Sequence, residues 1–229
     1  TEGDLPDSLR SDLAVLRGRL ALETGHPEDG VALLLDAERL GSTRPELSWP
    51  LTMALCDLGR FSEAEERARL RLDDPDPRVC LDSLANLGVA LVRRGDLVQA
   101  KAVMEQSAEM AEELGDLMRL VHATGDLAGV HFETGDLATS IRLLDQAAAL
   151  AQRLGAHRAL TMALGNQAQV RLASGDLVGA RRVAAAAARA TLVLPDPGLS
   201  LLFLETPVVV AEALGDVDHA LQWWYRHAE

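Results

Sequence analysis

An all-α solenoid of about six helix pairs is the fold this sequence predicts, and three observations predict it. The first is a repeat. Gly-Asp-(Leu/Val) recurs at Gly95-Asp96-Leu97, Gly135-Asp136-Leu137, Gly175-Asp176-Leu177 and Gly215-Asp216-Val217, in steps of 40 residues. Degenerate copies lie upstream at Gly25-His26-Pro27 and Gly59-Arg60-Phe61, with steps of 34 and 36. A period of this size marks an array of stacked supersecondary units. The second is apolar periodicity. Leu81, Leu84, Leu87, Ala90 and Leu91 form one helical stripe before Gly95. Leu97, Ala100, Val103, Met104, Ala108 and Ala111 form another after it, at the spacing of an amphipathic helix. The third is composition. Hydrophobic residues make up 48% of the 229, yet aromatics only 3%, so Ala, Leu and Val must supply close helix-on-helix packing.

The elements follow in order from the turns. Each turn glycine can adopt a left-handed conformation and stop a helix. The aspartate after it offers a carboxylate to the next helix N-terminus, which casts Asp96, Asp136, Asp176 and Asp216 as caps. Second helices end at Leu40-Gly41, Leu114-Gly115 and Leu154-Gly155, with Pro195 in the glycine's place one unit on. Five residues after each turn glycine stands a small residue: Gly30, Ala64, Ala100, Ser140, Ala180 and Ala220. That register lets the two helices of a unit cross closely. Neither helix can bury its stripe alone, so units must stack. The expected units are 11–44, 45–80, 81–120, 121–160, 161–200 and 201–229. Pro207 either kinks the first helix of the last unit or starts it after Thr206.

Charge narrows the function classes. The net charge is −13 with one lysine, Lys101, which argues against contact with nucleic acid or an anionic membrane. No apolar run approaches a membrane span, and no signal peptide is visible. Cys56 and Cys80 lack metal or disulfide spacing and fit small core residues in a reducing cytoplasm. No phosphate-binding glycine loop, H-E-x-x-H or nucleophile elbow occurs, so neither cofactor nor catalytic role is expected. His122 and His131, nine residues apart, lack the spacing of a metal pair.

The residues resemble the tetratricopeptide repeats. The third unit carries Leu87, Gly88, Gly95, Asp96, Leu97, Ala100 and Ser107 at the family's positions. The fourth carries Ala128, Gly135, Asp136, Leu137, Ser140 and Ala147, and the first Gly18, Gly25, Gly30 and Ala37. The family's aromatics are mostly Leu here, and the 40-residue period resembles the variety in kinesin light chains and bacterial regulators of the LuxR/maltose-activator type. The resemblance implies a right-handed superhelix with a concave groove lined by first helices. Its groove positions fall on Asn86, Arg93, His122, Asp126, Phe132, Glu133, Met162, Asn166, Gln169 and Thr206. Asn86, Asp126, Asn166 and Thr206 share one register, and such side chains can hold an extended peptide backbone; a merely solvated groove would also be polar there.

Trp223, Trp224 and Tyr225 are consecutive and cannot share one helix face. They imply either a covered solenoid end or a protein contact, such as a homodimer through the C-terminal unit. The expected function is a non-enzymatic scaffold for a protein or peptide, set in a larger bacterial transcriptional regulator that senses a partner or a small-molecule inducer. A free-standing cytoplasmic adaptor and an enzyme-associated domain are the alternatives.

Overall fold

The computed structural model describes residues 5–42, 45–191, 193 and 208–215, and the described residues contain helices and no strand. The chain divides into two compact units, Thr1–Val103 and Met104–Glu229. The first holds α1 (Asp7–Glu23), α2 (Pro27–Arg39), α3 (Pro45–Asp57), α4 (Phe61–Arg69) and α5 (Pro77–Arg94). α6 (Leu97–Glu113) runs through the division. The second holds α7 (Leu117–Glu133), α8 (Leu137–Arg153), α9 (His157–Ala173) and α10 (Leu177–Thr191), with 208–213 also helical.

Turn chemistry sets these boundaries. Gly95 ends α5 in the left-handed region at φ 90°, and Gly135 closes the turn after α7 at φ 81°. The Asp96 carboxylate accepts from the Gln99 amide at 3.2 Å, Asp136 from Thr139 at 3.1 Å and Asp176 from Gly179 at 2.9 Å. Three expected caps therefore act as caps; Asp216 lies outside the described residues, as do Thr206, Pro207 and Ala220. Helix starts differ from expectation. α5, α7 and α9 begin four residues before positions 81, 121 and 161. Asp76 caps α5 through the Arg78 amide at 2.9 Å, with Pro77 at the first helical position, and Asp116 caps α7 through the Arg119 amide at 3.1 Å. These caps satisfy amides that an N-terminus otherwise leaves unpaired.

Close crossing is visible at the small-residue register. Ala64, Ala100, Ser140 and Ala180 are fully buried. The Ser140 hydroxyl donates to the Ala128 carbonyl at 2.8 Å, tying α8 to α7 at the crossing. Between α1 and α2, a Cβ on Gly18 would stand 2.8 Å from the Leu34 side chain and 3.1 Å from the Gly30 carbonyl. In the first unit Val31, Leu34, Leu47, Leu51, Ala54 and Leu55 form one core cluster. In the second, α8 packs on α7, α9 on α8 and α10 on α9, and α7 also touches α9. Ala147, Ala148, Ala151, Ala159 and Ala163 fill that junction. Alanine at these sites brings backbones near one another, which is how so few aromatics suffice.

Candidate cleft between α7 and α9

α7 and α9 are the first helices of successive pairs, and their contact leaves a small cleft. It is lined by His122, Gly125 and Asp126 from α7, Met162 and Asn166 from α9, and a wall of Val121, Ala147, Ala159 and Ala163. Its volume is about 40 Å³, room for a water or a small side-chain group rather than an enclosed drug-sized ligand. Gly125 opens it: no atom lies within 4 Å of where its Cβ would stand.

Asp126 is the chemically unusual member. It is half-buried, and burial alone pushes its carboxyl up to about 7. No basic group offsets that desolvation, so near neutral pH the site is poised between a hydrogen-bond donor and an anion. His122 stands solvent-exposed. Desolvation, then Arg158 and Arg119, holds its imidazole below the ordinary value, with Asp116 pulling the other way. Asn166 and Met162 are both exposed on α9. The cleft thus offers an amide, a titratable carboxyl, an imidazole and a thioether within one short stretch.

The other expected groove residues have different surroundings. Asn86 is buried and donates its side-chain amide to the Ser48 hydroxyl at 2.6 Å, so it joins α5 to α3. Arg93 is exposed and lies 3.6 Å from Asp57, both open to solvent, where an ion pair contributes little. Phe132 is half-buried, while Glu133 and Gln169 are exposed. Thr206, Trp223, Trp224 and Tyr225 lie outside the described residues.

His131 is buried and its Nδ1 lies 3.1 Å from Asp136 Oδ2, so it braces a turn. Among the described residues no group of three His, Cys, Asp or Glu could hold a metal ion. Cys56 and Cys80 are both free and buried, and burial raises the Cys56 thiol. No described helix is long and apolar enough to cross a membrane.

One polar network escaped the sequence reading. Gln167 and Arg171 on α9 both reach Asp145 on α8, the arginine at 3.9 Å, and Arg171 also donates to Asp176 at 2.8 Å. Residues 145 and 167 belong to different helices, so no local spacing signals their pairing.

A family model described as tetratricopeptide repeat matches residues 82–106 and 161–186. No curated protein matches in sequence. Among solved structures the chain is similar to a Rap protein complexed with competence and sporulation factor. That pair has a TM-score of 0.72 at 12% identity, over 99% of this chain and 71% of that one. It is also similar to a thermophilic tetratricopeptide-repeat protein of Thermus thermophilus, with TM-score 0.66, 18% identity and coverage of 86% and 98%. A signal transduction ATPase with a tetratricopeptide repeat sensor from Pyrococcus horikoshii gives 0.62 at 13% identity, over 99% of this chain and 37% of that one.

Proposed function

We propose that this chain, which matches a tetratricopeptide-repeat model over residues 82–106 and 161–186 and shares that fold, is a non-enzymatic scaffold that binds an extended peptide or protein segment along the first helices of its repeats. The observation that carries the reading is the α7–α9 cleft, where Asp126, Asn166 and His122 surround a gap that Gly125 leaves open. The asparagine amide can donate to and accept from a peptide backbone, and Met162 supplies an adaptable apolar contact. The fold likeness to a Rap protein solved in complex with competence and sporulation factor supports a binding role for these repeats. The finer setting we propose is a sensor segment within a larger bacterial transcriptional regulator; the likeness to a signal transduction ATPase's repeat sensor supports the sensor part of that reading alone. Two free, buried thiols suit a reducing cytoplasm.

The test is selection of linear peptides displayed on phage against the whole folded chain, followed by calorimetry. Asn166→Ala is expected to weaken a selected peptide about tenfold, the order of one well-placed polar contact, with the melting temperature unchanged. Equal affinity for wild type and variant would overturn this placement of the site.

A further inference from the structure

Asp126 is the exception in its register. Nine residues before each turn glycine stand Leu16, Pro50, Asn86, Asp126, Asn166 and Thr206, and only Asp126 among them ionises. Asn86 spends its amide on Ser48. Asp126 lines the α7–α9 cleft, and among the described residues no hydrogen bond or ion pair meets its carboxylate. Burial of a carboxylate without a partner is unfavourable, and here it raises the group to about 7. An asparagine in the same place would serve a neutral peptide backbone without that cost, as Asn166 can one repeat on. A carboxylate gains over an amide where the occupant is itself charged.

The surroundings select the sign of that charge. α9 contributes Met162, Ala163 and Asn166 to the cleft and α8 contributes Ala147, none of them charged. On α7, His122 is the titratable residue lining the cleft. Desolvation, then Arg158 and Arg119, holds it below its ordinary value, so it is uncharged near neutral pH and does not compete for the carboxylate. No charged group shifts Asp126. The opening of about 40 Å³ suits one ammonium or the tip of a guanidinium. Gly125 and Gly129, one turn apart on α7, leave open space where side chains would stand. A peptide backbone can therefore lie close to α7 while one side chain reaches the carboxylate. The net charge of −13 adds a long-range preference for cations.

We propose that this cleft is the subsite for one basic side chain, a lysine or arginine of the bound peptide, which pairs with Asp126 while Asn166 holds the neighbouring backbone. The proposal rests on the peptide-binding reading above and adds the residue class that the peptide must carry.

Calorimetry with linear peptides selected on the whole folded chain tests it. The selected sequences should share one lysine or arginine. Its replacement by norleucine should weaken binding about tenfold at pH 8, the order of one charged contact. Asp126→Asn should cost about as much, and the two changes together no more than either alone. Because the cation requires the ionised carboxylate, wild-type affinity should rise about tenfold from pH 6 to 8, through the value near 7. Asp126→Asn should flatten that profile. Peptides that depend on Asn166 but share no basic residue would overturn the proposal and leave the peptide-binding reading standing. So would affinity that falls as pH rises, which would make Asp126 a donor to a carbonyl. A profile unchanged in Asp126→Asn would assign the titration to His122 and overturn it as well. Failure to select any peptide would remove both.

Discussion

At the scale of single residues, Asp126 makes the strongest demand on the chain. Its carboxyl is raised to about 7 by burial, against an unfolded value of about 4. The folded chain therefore holds this proton more tightly. The stabilising contribution is fully present below the unfolded value and is lost as pH rises through about 7. Asp136 and Asp176 work in the opposite sense. The Thr139 hydrogen bonds lower the first and the Gly179 amide and Arg171 lower the second, so their contribution is lost only as acid reaches their folded values. Thermal melts from about pH 5 to 8 separate the two. Asp126→Asn should gain on wild type as pH rises, by about 1 kcal/mol at the alkaline end, and coincident curves would contradict the burial of that carboxyl. Sequence pattern placed Asp126 and Asn86 in one register, yet the chain uses them differently. Asn86 meets Ser48, a partner 38 residues away that no local spacing reveals, whereas Asp126 meets an opening.

At the scale of helices, the legible part of the fold was its punctuation. Gly95 and Gly135 take positive φ at the turns, and the Asp96, Asp136 and Asp176 carboxylates accept first-turn amides that an N-terminus leaves without an intrahelical partner. The small residues at 64, 100, 140 and 180 were legible for the same reason: only a small side chain fits the crossing. First-helix starts were not, because the apolar stripe begins a turn after the cap, and Asp76-Pro77 and Asp116 fix the true ends. Asp136→Ala removes a cap and the His131 brace together. It should cost about 1 kcal/mol, read as a lower denaturation midpoint at unchanged denaturant dependence. No change would mean that water replaces the carboxylate without loss.

At the scale of the whole molecule, a chain of stacked pairs exposes first-helix surfaces repeatedly, so binding can be altered at one junction without redesign of the rest. Gly125 permits the most direct test of the proposed ligand position at the α7–α9 opening. Glycine inside a helix is unfavourable by about 1 kcal/mol relative to good helix formers, and here its missing side chain leaves space instead of relieving a clash. Gly125→Leu should keep or raise the stability of α7 while filling the cleft. The measurement is calorimetric affinity of a selected linear peptide for that variant against wild type. Loss of binding with the fold intact is the expected result. Undiminished affinity would contradict the account and move the ligand to another surface of the chain.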